Sequence, residues 1–368
     1  MNAVRVIFRW RMTSALALAL LAAPAVDLKA QSMAEGDWEY AACSDQGPDQ
    51  CACGEATCQK CRPCGWGHCT SVWGDFLYLQ PTGADVPHAQ QQNGTGGPGT
   101  VPFGLVGEAD PDYEPGVRVG GVLGLSPCSS IALAYTFFES ETAAVVDPPI
   151  VPGGGGAIGS LVHHPAAGLT ASAGPVDADY EIDFQLGEIE YRSLLWGDDL
   201  GWVNYSAGLR YAHLEQDFLQ SGVFGGGQGS LINTQTQSDF DGGGALFGLD
   251  GERIIGRKGF SLYGNTGVSP VVGQFSTKYR MHNESTDVLL ADVRWKDDRF
   301  VTILDYELGL AWTSCSGCLR LSAGYMAQFW YNTITTPELI DAVQATNYTD
   351  VGDTLSFDGV VTRVEVRF

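Results

Sequence analysis

From residue 71 to the end of the chain, apolar and polar side chains alternate with a period of two, the mark of strands whose two faces meet different surroundings. Leu304, Tyr306, Leu308, Leu310 and Trp312 interleave with Asp305, Glu307, Gly309, Ala311 and Thr313. Val203, Tyr205, Ala207, Leu209 and Tyr211 stand against Asn204, Ser206, Gly208 and Arg210, and Leu319, Leu321, Ala323, Tyr325, Ala327, Phe329 and Tyr331 against Arg320, Ser322, Gly324 and Gln328. In Tyr180, Ile182, Phe184 and Leu186 the opposite face is Glu181, Asp183 and Gln185. After Gly187 the parity flips, to Ile189 and Tyr191 against Glu188, Glu190 and Arg192. A one-residue slip beside a glycine predicts a β-bulge at that point.

Ten strands are expected, near 71–81, 113–125, 129–141, 178–195, 201–216, 237–254, 259–279, 299–314, 318–332 and 353–368. Short links at 125–129, 196–200, 254–259 and 314–318 alternate with long ones at 82–112, 142–177, 217–236, 280–298 and 333–352. The short links carry turn chemistry such as Gly197-Asp198-Asp199 and Ser316-Gly317. In an up-and-down barrel this alternation gathers the long loops at one end and the tight turns at the other, as in outer-membrane barrels. A sheet that spans a bilayer must close on itself, because each backbone polar group there needs a partner. The expected fold is therefore all-β: a closed up-and-down antiparallel transmembrane β-barrel of about ten strands, twelve being the alternative, with a Cys-rich N-terminal extension. An even strand count puts that extension and the C-terminus on the same, periplasmic, side.

In this arrangement the apolar faces meet lipid, with Tyr and Trp near the strand ends. The opposite face is charged and is expected to line the lumen: Arg118, Glu181, Asp183, Glu188, Glu190, Arg192, Arg210, Asp305, Glu307, Arg320, Arg363, Glu365 and Arg367. The last strand closes on an aromatic, and Val364, Val366 and Phe368 read as the C-terminal signal for the barrel-assembly machinery.

Composition narrows the class further. The 368 residues hold 43 acidic and 20 basic side chains, a net charge of −23, which excludes a nucleic-acid partner. With 11% aromatic and 17% charged residues the chain is not a disordered one. One apolar run approaches membrane-helix length. Arg5, Arg9 and Arg11 precede the short apolar stretch from Thr13 to Ala23, with small residues at Ala23-Pro24-Ala25 or Leu28-Lys29-Ala30 for cleavage. Residues 1–30 therefore read as a signal peptide, 31–70 as the periplasmic Cys-rich extension and 71–368 as the barrel.

Export permits disulfides. Cys43, Cys51, Cys53, Cys58, Cys61, Cys64 and Cys69 crowd the extension, while Cys128, Cys315 and Cys318 fall in or beside short turns. All ten then lie on one side of the membrane, and the extension is expected to be stapled at or near the periplasmic mouth. Cys58, Cys61, Cys64, His68 and Cys69 could alternatively wrap a tetrahedral metal, but disulfides are the favoured reading, and spacing does not specify their connectivity.

No catalytic set, metal site or cofactor is expected. His213 and the pair His163-His164 read as solvated rim or loop histidines, and Glu108, Asp110, Asp112 and Glu114 as a solvated acidic loop. Gly242 to Gly244 lie within a strand pattern, where they permit bending or close packing.

The stretches WGDFLYLQP at 73–81, VRVGGVLGLSPCSSIALAYTFFES at 117–140, NYSAGLRYAHLEQDF at 204–218, FDGGGALFGLDGER at 240–253, ILDYELGLAWTS at 303–314, LRLSAGYMAQFWYN at 319–332 and GDTLSFDGVVTRVEVRF at 352–368 resemble the strands of the Legionella-type major outer membrane protein family. That resemblance implies a pore-forming outer-membrane barrel and supplies no catalytic residues. The expected function is passive passage of ions or small polar solutes, with mild cation preference from the acidic lumen. The alternative is a non-conducting structural scaffold that anchors or binds cell-envelope partners through the Cys-rich segment. About eight strands leave an interior just filled by side chains, whereas open channels need about sixteen, so ten strands put both readings in play.

Overall fold

The computed structural model describes residues 67–368, except 153, 228, 256–258 and 315. The signal peptide, Cys43 to Cys64 and Cys315 lie outside the described residues. In chain order the strands are β1 (Ser71–Thr82), β2 (Val86–Gln92), β3 (Pro102–Ala109), β4 (Glu114–Ser126), β5 (Ser129–Val146), β6 (Ala157–Ser160), β7 (Leu169–Asp198), β8 (Gly201–Gly226), β9 (Ser230–Ile254), β10 (Phe260–Asn283), β11 (Val288–Thr313), β12 (Leu319–Thr333) and β13 (Asp353–Arg367). One α-helix, α1 (Thr336–Ala345), lies between β12 and β13.

Ten of these strands close a ring in the order β1, β4, β5, β7, β8, β9, β10, β11, β12, β13 and back to β1. Each neighbour is antiparallel, and Phe368 N–H donates to Thr70 O at the seam. They are the ten expected strands. Closure leaves no unpaired edge in the ring, which is what a sheet in hydrocarbon requires. The long loops contribute the remaining elements: β2 pairs with β3 and β6, and β6 meets β7 at Ile158 and Ser172. Leu339, Ile340, Ala342 and Val343 of α1 are buried among the barrel strands at that end.

Several strands run further toward the long loops than the alternation predicts. β7 begins at Leu169 rather than near 178, and β11 at Val288 rather than near 299. The extensions explain the parity flip at Gly187, and no bulge is needed. The register runs unbroken through Tyr135–Gly187–Tyr211, so residues 180 to 192 with even numbers all share one face. Tyr180, Ile182, Phe184 and Leu186 on that face are buried, and so is the Arg210 register partner of Glu188. What inverts at Gly187 is chemistry, not geometry. Toward the tight turns the apolar side chains point outward and the charged ones inward; toward the long loops apolar chains fill the interior and polar ones face out.

The outward face turns from apolar to polar on the other long strands as well. On β8 the switch falls after Tyr211, where the outward residues change from Leu209 and Tyr211 to His213 and Glu215. On β11 it falls between Asp298 and Phe300. The outward apolar belt runs for example from Val203 to Tyr211 and from Val360 to Phe368, close to the roughly nine to eleven tilted residues that span a bilayer. Tyr135 and Tyr211 stand at its upper edge and donate to the first outward polar residues, Gln185 (2.8 Å) and Asp241 (2.7 Å). Such amphipathic rings suit the headgroup boundary.

Candidate functional site

Inside the belt, arginines and carboxylates from all round the ring meet one another. Arg118 on β4 donates through Nε to Asp75 on β1 (2.6 Å) and through Nη2 to Glu307 on β11 (2.7 Å). The second bond joins strands on opposite arcs of the ring, so it crosses the interior. Arg363 completes a fork on Asp75, at 2.7 and 2.9 Å, the paired geometry that makes Arg–carboxylate contacts strong. Arg210 reaches Glu188 (2.5 Å) and, across to β11, Asp305 (2.6 Å). Closer to the tight turns Arg192 binds Asp250, Arg320 binds Glu252 (3.2 Å), and Arg367 binds Glu365 (3.0 Å). Asp75, Asp250 and Glu252, as well as Trp73 and Tyr263, belong to this interior and are absent from the residues the alternation singles out. They lie at the inward parity of their strands; Asp75 stands alone among apolar neighbours, and the Asp250–Glu252 pair sits at the end of β9 beside the tight turn.

Glycines make room for the rings. A Cβ on Gly120 would meet the Trp73 indole at 2.3 Å, and one on Gly309 the Tyr263 ring at 2.7 Å. Trp73 in turn lies under the Arg363 guanidinium, 4.1 Å from ring centroid to Cζ. Gly244 approaches Pro270 O so closely that a Cβ would sit 2.0 Å away, which is the close packing expected of that glycine run. Within this polar zone a cavity of about 200 Å³ remains, lined by residues such as Arg118, Glu190, Arg210, Glu307 and Gln328. His68 enters from the tight-turn end, with Nδ1 2.9 Å from Ser130 Oγ.

Toward the long loops aromatic and aliphatic side chains fill much of the interior. Phe138, Phe184, Phe240, Phe275, Trp330 and Phe357 are all fully buried. Their rings touch in a chain from β5 to β10: Phe138–Phe184 at 5.4 Å, Phe184–Phe357 at 4.6 Å, Phe184–Trp330 at 6.2 Å, Phe240–Trp330 at 6.5 Å and Phe240–Phe275 at 4.7 Å. Above them Tyr180, Phe218, Tyr279 and the buried residues of α1 continue the same apolar cluster. The Ile334 carbonyl accepts from Gln216 (3.0 Å) and Ser238 (3.1 Å), which fastens the loop leading into α1 to the barrel wall. Gln344 donates to the carbonyls of Leu161 (2.6 Å) and His163 (3.1 Å).

Two of the expected lumen residues lie elsewhere. Glu181 and Asp183 have odd numbers on β7 and point outward, because that strand has already passed the inversion at Gly187. His163 is also not the solvated residue expected: its ring packs on Phe224 at 4.3 Å, and burial lowers its pKa to about 4. On the outer wall Asp183 joins Glu139, Glu215 and Asp239 in one row across four strands. Burial and the adjacent Glu215 charge push Asp183 up to about 7, and the same two causes raise Asp217 to about 7. The carboxylates of Glu215 and Asp241 hold His213 up at about 9.

At the tight-turn end Cys69 and Cys318 are each disulfide-bonded, and Cys128 sits in the β4–β5 turn. Arg367 N–H donates to Cys318 O (2.8 Å), so the last strand and the β11–β12 turn are held together there.

Residues 65–367 match the family described as the Legionella pneumophila major outer membrane protein precursor. Comparison with curated proteins yields no match. Among solved structures, the outer membrane protease OmpT from Escherichia coli is similar over 81% of this chain and 97% of its own, at 10% identity and a TM-score of 0.45. The transport unit of the autotransporter AIDA-I from Escherichia coli is similar over 81% and 90%, at 9% identity and a TM-score of 0.27. A Pseudomonas aeruginosa FadL homologue is similar over 81% and 89%, at 9% identity and a TM-score of 0.23.

Proposed function

The chain belongs to the family of the Legionella pneumophila major outer membrane protein, and we propose that it works in the outer membrane as a non-conducting barrel, structural rather than catalytic, that holds envelope partners at its tight-turn end. The observation that carries this reading is the chain of ring contacts from Phe138 to Phe275, which crosses the interior between strands that are not neighbours. An ion moving along the axis would leave the charged zone and meet this layer of packed aromatic rings, where an uncompensated charge costs many kcal/mol. The pore expected from the family resemblance is therefore the weaker reading of this interior.

In this proposal the tight turns face the periplasm, and the long loops, with α1, face outside. Cys69 and Cys318, both disulfide-bonded, lie at that tight-turn end, and the Cys-rich segment before Cys69 lies outside the described residues. The charge rows of the lumen then act as an internal brace across a barrel wall thinned by glycine.

Planar-bilayer recording of the purified full-length chain tests the reading, with insertion verified separately by flotation of proteoliposomes. Inserted protein without conductance steps is the expected result. Regular steps with a cation-selective reversal potential would overturn it in favour of a pore.

A further inference from the structure

The outer wall just beyond the belt carries an arrangement that the barrel itself does not use. Counting rows upward from the girdle pair Tyr135 and Tyr211, the next row holds Gln185, His213 and Asp241 in register. The row above holds Glu139, Asp183, Glu215 and Asp239, and the third holds Glu141, Glu181 and Asp217. Carboxylates directly opposite one another on neighbouring strands repel. Here four stand in a line; residues 135–186 and 212–245 contain no Lys or Arg, and the cations that share these rows, Lys296 in the second and Lys278 in the third, stand on β11 and β10, away from the β7–β8 pair.

Within this ladder one imidazole is oriented toward two carboxylates. His213 Nδ1 lies 3.0 Å from Asp241 Oδ1, and the Tyr211 hydroxyl donates to that same oxygen (2.7 Å). That contact fixes the ring and turns Nε2 toward Glu215, whose Oε2 is 3.9 Å away. Ligand atoms of Asp183, His213 and Glu215 all lie within 4.8 Å of one another. Asp183 Oδ1 is buried with no hydrogen-bond partner, and so is Asp217 Oδ1 beside it. A carboxylate–imidazole pair that leaves the far nitrogen facing other carboxylates is the arrangement by which proteins orient metal-binding histidines.

We propose that Asp183, His213 and Glu215 bind a divalent cation on the outer wall of the barrel, with Asp241 as the positioning residue behind His213. One imidazole nitrogen and two carboxylates form a donor set that favours a borderline metal of the zinc class over calcium or magnesium. Water completes the coordination on the outward side. The cation neutralises the β7–β8 part of the ladder and ties β7 to β8 above the membrane, a counter-charge from solution beside those that Lys278 and Lys296 supply at the β10 and β11 side.

The test is titration of the full-length, metal-stripped protein in detergent with zinc chloride, followed by cobalt chloride for its absorption spectrum. Saturable binding at the wall site, weakened about tenfold or more by His213→Gln and by Asp183→Asn, is the expected outcome; Asp241→Asn is expected to weaken it by about ten- to a hundredfold. Asp298→Asn on β11 is expected to leave it unchanged. The cobalt spectrum separates this site from the cysteines, because nitrogen and oxygen ligands give no thiolate charge-transfer band. Retention of heat-modifiable migration on gels shows that each variant still forms the barrel. Binding that His213→Gln leaves intact, calcium binding as tight as zinc, or cobalt absorption carried by thiolate bands alone would each overturn the proposal.

Discussion

The ring of Phe184 lies 4.6 Å from that of Phe357, although their strands are separated by three others around the barrel. Contacts of this kind make the long-loop half of the interior a packed core, in the same sense as the core of a soluble protein. Phe184→Ala removes a fully buried ring from between Phe138, Phe357 and Trp330. A loss of about 3–5 kcal/mol is expected, since the transfer and cavity costs add. Equilibrium urea unfolding in detergent measures it, and a variant within 1 kcal/mol of the parent, roughly the scale of an ordinary surface change, would contradict a packed interior.

The polar half is held by different physics. Asp75 has a fully buried side chain and satisfies its two oxygens with Arg118 and Arg363. Arg118→Ala leaves Glu307 without its arginine contact and Asp75 with Arg363 alone, and breaking such a buried pair costs about 3–5 kcal/mol. Arg294, with a side chain 74% exposed, bonds Asp292 on its own strand; Arg294→Ala is expected to change stability by no more than about 0.5 kcal/mol. The two variants, measured side by side by urea midpoint, separate a brace from a surface ion pair.

The strand count, the order of long and short links and the closed ring were legible because each rests on local signals: period-two alternation and turn chemistry. The inward rows at Glu188, Glu190 and Arg192 were legible for the same reason. Glu181 and Asp183 were not, because alternation shows that two faces differ without showing which one is inside. A membrane barrel with strands that outrun the bilayer obeys both rules in succession, apolar-out in lipid and apolar-in above it. The flip at Gly187 was the visible trace of that boundary, and only the unbroken register distinguishes it from a bulge. The extra length of β11 has the same cause: Val293 and Trp295 alternate with Asp292, Arg294 and Lys296 on the parity opposite to Leu304 and Tyr306, so one strand reads as two segments, while the start of β7 is made mostly of small residues with little contrast.

Acid is expected to loosen the long-loop end through His163. Its pKa is about 4 in the folded chain and near 6.5 when unfolded, because burial against Phe224 disfavours the charged ring. Above pH 6.5 neither state carries the proton, and the contribution to stability is complete. Between 6.5 and 4 the unfolded state binds a proton that the folded state refuses, so stability falls with falling pH by up to about 1.4 kcal/mol per unit. Asp183 and Asp217, raised to about 7, act with the opposite sign over an overlapping range. They are common to the parent and to His163→Phe, so the difference between the two proteins isolates the histidine. Urea midpoints between pH 7.5 and 4.5 are expected to converge with acid if the parent starts ahead, and parallel curves would refute the assignment.

Phe368 separates folding from assembly. Its N–H donates to Thr70 O at the seam where β13 meets β1, while the residue lies at the outward parity of β13 and is 71% exposed. Deleting it costs one hydrogen bond at the end of a ladder and no packed interior, a change on the order of 1 kcal/mol. Purified protein lacking Phe368 is therefore expected to refold in detergent with nearly the parent midpoint. If Val364, Val366 and Phe368 form the signal read by the assembly machinery, the same deletion lowers the amount of folded barrel in the outer membrane of cells several-fold. Heat-modifiable migration on gels quantifies both populations with one assay. Equal losses in detergent and in cells would make Phe368 a structural residue; loss in cells alone assigns it to recognition, because the missing side chain touches what inserts the barrel and not what holds it together.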